Sequence, residues 1–329
     1  MENVIRQPKV KVFINNKDVT LEISNFIREV VYTDSIEEKA KDELQITLSN
    51  LDRRFLKEWA IEENTRIDAS IVADGQEFCL GTFYVGDSFT LREKGSVLTI
   101  SATSQSYEDL KAFKVVRNES YENVTLKELV SQIIAKCSKK SFVDAPEVPL
   151  TRVDIVNETY EQFLKRLARD YNCRFFVRAG TVVFARNLPT KEWDITPYLI
   201  NDDIRFKPKK EAVKAVEMEY YKPGSKETLT YREENPEVKE GKTVKLYGIA
   251  HNLKEAQEKV RAVLEKSKSE LKAEATFTIY GQPINAGDFV VLPEELYGFL
   301  AGKYQAVKVV HSISKENGWR TKITVRKGG

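Results

Sequence analysis

The sequence is poor in the residues that most often do chemistry. Its 329 residues include two histidines, His251 and His311. They sit in no HExxH, in no triad spacing and beside no cysteine, so neither a zinc protease nor a His-activated nucleophile has a motif behind it. The three cysteines, Cys79, Cys137 and Cys173, are widely spaced with no CxxC pair. Neither a disulfide framework nor a metal or redox site is signalled, and they read as core thiols. No GxGxxG or Walker A run offers a Gly-rich phosphate cradle. An excess of one charge is missing too: Lys+Arg 52 against Asp+Glu 50 leaves a net +2, which supplies no global field for nucleic acid or an anionic membrane. No apolar run approaches the roughly 20 residues of a membrane helix. The opening Met1-Glu2-Asn3-Val4 lacks the charged-then-apolar pattern of a signal peptide, so synthesis in the cytoplasm is expected.

What the sequence does have is a pattern that occurs twice. Residues 64–103 run TRIDASIVAD, GTFYVGDSFTL and SVLTISAT, separated by Asp74-Gly75 and Lys94-Gly95. Residues 287–326 run DFVVL, GKYQAVKVVHSI and WRTKITVR, separated by Pro293/Gly298 and Asn317-Gly318. Alternation with period 2 between Gly-containing turns is the strand and hairpin signal. Order, length and turn chemistry match although few identities do, and Gly81-Thr82-Phe83 falls opposite Gly302-Lys303-Tyr304. Two copies of one antiparallel module are expected.

The rest of the chain completes or separates the copies. KVKVFI from Lys9, an Asn15-Asn16 turn suited to positive φ, DVTLEI, FIREVVYT and ELQITLSN read as strands, with Leu44, Ile46 and Leu48 on one buried face. Asp52 is placed to cap a short helix carrying Phe55, Leu56 and Trp59. Thr125-Leu-Lys-Glu128 is a capping box that opens a helix, and a second helix begins near Asn157 or Thr159 and ends at Asn172. A hairpin turning at Ala179-Gly180 follows. Strands with a Pro223-Gly224 turn precede a long helix from an Asn252 cap to about Leu271. The predicted fold is mainly β with an α+β insertion: two tandem related antiparallel β-barrel modules flank a small α+β domain. The first module spans 1–104, a connector 105–119, the α+β domain 120–186, a linker 187–203 and the second module 204–329, with an inserted helix over 253–271.

No catalytic, cofactor-binding or metal-ligating residue is assigned, and no cofactor is expected. His311 alternates with Val309 and Ile313, which points to a hydrogen-bonded structural role, and His251 belongs to a helix-start turn. A glycosidase needs only two carboxylates, and 50 acidic residues make any pairing uninformative. Lys207-Pro208-Lys209-Lys210 is the densest basic run, with Arg117, Lys139 and Lys140 scattered; these read as solvated linker or loop charge. Tyr220, Tyr221, Tyr231, Tyr247 and Tyr280 fall in or beside strands, where OB-like barrels stack bases, but no basic stripe accompanies them.

The order of DELQITLSNLDRRFLK (42–57), LGTFYVGDSFTL (80–91), SYENVTLKELVSQIIAKC (120–137), ETYEQFLKRLARDYNCRFFVRAGTVVFA (158–185) and AGKYQAVKVVHSI (301–313) resembles the late-control protein D family of contractile-tailed phages. That family is similar in turn to the baseplate hub protein of phage T4 and to the hub part of type VI secretion spike proteins. The resemblance implies a structural tail-tip hub: a homotrimer whose six modules adapt a six-fold tail tube to a three-fold spike, within the baseplate of a virion or a phage-tail-like particle. It gives Gly81, Phe83, Gly302 and Tyr304 fold-defining strand positions, and His311 a structural one. Type VI spike proteins continue beyond the hub whereas this chain ends at Gly329, so a separate spike protein is expected as partner, alongside the tail tube and other baseplate proteins. No specific nucleic-acid or membrane binding is expected of the isolated chain. Two rival functions are a cell-wall-degrading tail hydrolase with an unmarked carboxylate pair and a single-stranded nucleic-acid-binding protein built on OB-like barrels.

Overall fold

The structure is a computed structural model and describes residues 8–37, 42–105, 107–138, 140–178, 180–205, 213–222, 227–236, 238–270 and 274–327. Lys207-Pro208-Lys209-Lys210, Pro223-Gly224, Lys139, Ala179 and Leu271 lie outside the described residues.

In chain order, the first module contains β1 (Lys9–Ile14), β2 (Lys17–Asp18), α1 (Thr20–Ser24), β3 (Ile27–Ser35), β4 (Glu43–Ser49), β5 (Arg66–Ala73), β6 (Gln76–Arg92) and β7 (Val97–Thr103). Then come α2 (Tyr107–Lys114), β8 (Val116–Thr125), α3 (Leu126–Ala135), β9 (Ser141–Asp144), β10 (Pro149–Thr159), α4 (Tyr160–Asp170), β11 (Arg174–Arg178) and β12 (Thr181–Ala185). The remainder is β13 (Glu192–Asp194), β14 (Leu199–Arg205), β15 (Val213–Tyr221), β16 (Thr228–Glu234), β17 (Lys242–Ala250), α5 (Leu253–Glu270), β18 (Glu274–Tyr280), β19 (Phe289–Leu292), α6 (Glu294–Tyr297), β20 (Gly302–Ser314) and β21 (Gly318–Lys327). The fold is mainly β.

Thirteen strands form one sheet, ordered β14-β18-β21-β20-β3-β4-β7-β6-β5-β1-β2, with β19 on β20 and β13 on β19. The period-2 patterns work as expected: Leu44, Ile46 and Leu48 of β4 are all buried while their neighbours are half-exposed. Within the first module β1 and β3 stand at opposite ends of the strand order, yet Val12 and Val30 contribute to one apolar cluster with Leu44, Ile67 and Phe83. The sheet therefore curls around that core. A second cluster, with Phe277, Ile279, Tyr304, Val309 and Ile323, fills the second module. The hairpin turns take the left-handed conformations their residues suggest, with φ of 48° and 66° at Asn15-Asn16 and 52° and 75° at Asp74-Gly75.

The middle of the chain has its own core, made by α3, α4, β8–β12 and Phe113 of α2. Both main helices begin in capping boxes. The Thr125 hydroxyl accepts the Glu128 N–H and the Glu128 carboxylate accepts the Thr125 N–H; Thr159 and Gln162 repeat the exchange. Asn172 ends the second helix region at φ 50°, the left-handed terminator expected of it.

Several local expectations give way to the structure. DVTLEI is not a strand: Thr20 N–H bonds to Asp18 Oδ1 at 2.9 Å and the Thr20 hydroxyl receives the Val12 N–H at 3.0 Å, which turns the chain into α1. Asp52 leads into only one 3-10 turn, Arg54–Leu56: Arg53 enters it at φ 63°, and Lys57 leaves the helical region at φ −133° and ψ −105°. The stretch read as connector holds α2 and the start of β8, and the stretch read as linker holds β13 and most of β14. Strands β15–β17 do not join the large sheet; they form a separate three-stranded sheet whose Val216 and Met218 pack on Ala256, Val260 and Leu264 of α5.

Candidate assembly site at the module junction

The two modules meet where β20 pairs with β3, antiparallel, from Lys308↔Ser35 to Ser314↔Glu29. β20 is long enough to serve three neighbours. Its first residues pair with β19, most of its length with β21, and its outer edge with β3. A bulge between Ala306 and Lys308 allows this, and the Val307 carbonyl it turns outward accepts the Ile36 N–H at 3.0 Å and the Ser35 hydroxyl at 3.1 Å.

His311 lies at the centre, fully buried. Its ring stacks on Tyr32 of the opposing strand, with centroids 5.9 Å apart and planes 9° apart, and meets the edge of Phe78 at 5.2 Å. Trp319 Nε1–H can only donate, so His311 Nδ1, 3.2 Å away, accepts, and His311 Nε2–H donates to the Ile284 carbonyl at 3.0 Å. This arrangement requires the neutral ring. Burial pushes the imidazole down to about 4, with the Ile284 carbonyl opposing. The expected structural role of His311 fits these contacts.

A second polar knot ties the junction to the α+β region. Asp34 of β3, 1 % exposed, accepts from Arg178 Nε at 2.9 Å and from the Ala286 N–H at 2.8 Å. Burial raises its carboxyl above the ordinary range while Arg178 and the amide pull the other way. Nearby, Arg174 donates to Gln305 of β20.

The fold-defining glycines and aromatics occupy matched places. Gly81 has φ 123° and Gly302 φ 126°, a backbone that side chains rarely adopt. Phe83 and Tyr304, two residues on in each copy, are both fully buried. The match extends well beyond them. Val85 exchanges backbone bonds with Thr65 and Asn64 at 3.0 and 2.8 Å, and Ala306 does so with Asp288 and Gly287 at 2.8 and 2.6 Å. The β6/β7 pairing is interrupted between Val85 and Phe89, and β20/β21 between Ala306 and Lys308. The β3/β4 bulge between Ile27 and Glu29 has its counterpart between Leu199 and Asn201 of β14/β18. Strand for strand, β3-β4-β7-β6-β5 corresponds to β14-β18-β21-β20-β19.

Among the described residues no group of three His, Cys, Asp or Glu side chains is placed to hold a metal ion. A cavity of about 310 Å³ in the first module is lined mainly by apolar side chains such as Val12, Ile46, Phe55, Trp59 and Ile67. His251 donates its backbone N–H to Glu255 at the start of α5, where Asn252 Oδ1 caps the Glu255 N–H. The strand tyrosines do not share a face: Tyr220 and Tyr231 pack toward α5, Tyr247 is 99 % exposed, and Tyr280 lies under Arg320 in the large sheet. The pairing pattern alone reveals two open strand edges at the ends of the modules among the described residues, β6 beyond Gly86 and β14, which sequence reasoning did not single out.

This arrangement of modules is found in solved structures. The 43 kDa tail protein of prophage MuSo2 from Shewanella oneidensis superposes with a TM-score of 0.67 at 16% identity, over 97% of this chain and 98% of that one. The chain has the fold of phage tail proteins. A tail protein of Neisseria meningitidis MC58 gives 0.67 at 14% identity over 97% of this chain and 96% of its own. An Escherichia coli component of the type VI secretion system, itself described as structurally similar to tail proteins of bacteriophage T4, gives 0.56 at 9% identity over 96% of this chain and 76% of its own. No protein-family model matches the chain, and no curated protein matches it. The likeness is thus one of fold, in line with the resemblance drawn from the sequence motifs.

Proposed function

We propose that this chain is a structural hub at the tail tip of a contractile injection machine, a homotrimer that adapts a six-fold tube to a three-fold spike. The observation that carries the reading is the internal repeat joined through β20 and β3: one chain supplies two near-equivalent modules, so three chains supply six. Closed cyclic symmetry is the usual way such repeats assemble. Full-length fold likeness to two tail proteins supports the tail setting, and a Francisella PdpA-VgrG complex with a TM-score of 0.54 and 98% coverage of this chain supports a spike as neighbour. The chain spans 53% of that neighbour's chain. A non-enzymatic role agrees with the satisfied hydrogen bonds of His311 and with acidic groups such as Asp34 and Asp288 that are engaged in tying strands together. Assembly into a virion tail or a phage-tail-like particle follows from the same reading.

Light scattering of the chain, alone and mixed with a candidate spike protein, tests the proposal, with negative-stain images of any oligomer. A three-chain ring with six lobes is the expected result. A trimer lacking six lobes breaks the tandem-module argument, and a chain that stays monomeric in both conditions sinks the hub.

A further inference from the structure

The outer edge of β20 is covered by β3 from Lys308 to Ser314. Its counterpart in the first module, the outer edge of β6 beyond Gly86, pairs only on its other side, with β7, among the described residues. The counterpart of β3 is β14, and β14 ends the large sheet. One chain thus carries one made junction and the two halves of a second. Six strands separate these halves along the sheet, and β6 and β14 are not paired with each other among the described residues.

We propose that the β6 edge, from Phe89 to Arg92, pairs with β14 of a second copy of this chain, antiparallel and in the register that β20 uses on β3. The inference rests on the ring reading above and specifies how its subunits meet.

Side-chain exposure singles out this edge. Through the shared β7/β21 frame, Phe89 corresponds to Val309 and Leu91 to His311. Val309 and His311 are fully buried beneath the neighbouring module, whereas Phe89 is 58 % and Leu91 43 % exposed. Large apolar groups on an open strand edge invite pairing with another chain, and soluble proteins normally blunt such edges with charge or proline. Their presence at positions that the other module covers marks them as interface residues.

The internal junction also fixes the register. Val310↔Thr33, His311↔Tyr32 and Ser312↔Val31 translate into Thr90↔Arg205, Leu91↔Ile204 and Arg92↔Asp203 between chains. Leu91 then meets Ile204, replacing the His311–Tyr32 stack with an aliphatic contact, and Arg92 stands opposite Asp203. Opposite charges and matched apolar groups directly across a pair stabilise it. A slip by one residue would bring Arg92 against Ile204 and send the apolar side chains to the wrong face. Because two different edges meet, the contact is head-to-tail rather than two-fold, and it closes into a ring when the rotation per chain is one third of a turn.

Two single-cysteine variants, Leu91→Cys and Ile204→Cys, each in a chain whose native thiols are replaced by Cys79→Ser, Cys137→Ala and Cys173→Ser, are mixed and oxidised. Directly paired strand residues lie within disulfide reach, so the mixture should give an interchain cross-link, while Leu91→Cys mixed with Asp202→Cys should give little. In parallel, Arg92→Asp and Asp203→Arg should each weaken assembly by at least about tenfold, and their combination in one chain should restore it, whereas mixing the two single variants satisfies at most two of the three junctions of a ring and should restore it only in part. Both residues are exposed, and circular dichroism of each variant checks that the monomer stays folded. If trimers form without the 91–204 cross-link and both charge variants assemble normally, the strand pairing is overturned and the ring reading survives. If the unmodified chain never assembles, both fall.

Discussion

Asp34 and Arg178, far apart in the chain, form a charged hydrogen bond of 2.9 Å in which the carboxylate is almost wholly removed from water. It fastens β3 of the first module to β11 of the α+β region, and the second Asp34 oxygen fastens both to the Ala286 amide. Removing one partner of a buried pair strands the other. Asp34→Ala should therefore destabilise the protein by about 3–5 kcal/mol, with Asp34→Asn less damaging because one acceptor remains. Urea unfolding of both variants measures this. Equal stability of Asp34→Ala and the parent would show that the knot contributes nothing.

His311 makes stability depend on pH in a definite sense. Its folded value is about 4 against an ordinary 6.5, so below 6.5 the unfolded chain binds a proton that the folded chain refuses. Stability should be complete above pH 6.5 and fall as pH drops toward 4, by about 3 kcal/mol in all at about 1.4 kcal/mol per unit. Denaturation midpoints across pH 4–7 for the parent and His311→Gln provide the check. If both chains show the same slope, another group controls the acid limb.

Gly81 and Gly302 are expected to respond alike. At φ near 125° an added Cβ is strained wherever it points, so Gly81→Ala and Gly302→Ala should each cost about 1–3 kcal/mol. Chemical denaturation of the two single variants decides it; a large cost at one position and none at the other would break the correspondence between the modules.

Gly281 is constrained by space instead. A Cβ there would come within 2.1 Å of the Trp319 ring, which is itself held by His311. Gly281→Ala should displace the indole, cost about 1–3 kcal/mol through overpacking, and blue- or red-shift tryptophan fluorescence. An unchanged spectrum and midpoint would mean that the backbone yields at no cost.

The repeat was legible in the sequence because its markers are backbone necessities: Asp74-Gly75, Gly81, Gly302 and Asn317-Gly318 stand where the chain must turn or take positive φ, and few other residues can. Thr125 and Thr159 announced their helices for a similar reason, since a cap is local chemistry. β14 was hidden because an edge strand buries little, and Asn201-Asp202-Asp203 looks like loop. α1 was hidden because the bond between Thr20 and Val12 that redirects the chain is tertiary. The candidate site could not be read at all: Phe89 and Leu91 alternate as core residues do, and only the absence of a covering strand among the described residues distinguishes them from Val309 and His311.

The β20–β3 joint also sets the order in which the protein can be completed during synthesis. β3 leaves the ribosome early, while the strand that covers it lies near the end of the chain. Until Lys308–Ser314 emerges, Tyr32 and Val30 present a bare strand edge to solvent, and contacts of such sequence separation form slowly. Throughout translation the nascent chain is open to pairing with the wrong strand, including a β14 from a neighbouring nascent chain. Slower elongation would prolong that exposure, and a chaperone that shields β3 would shorten its hazard.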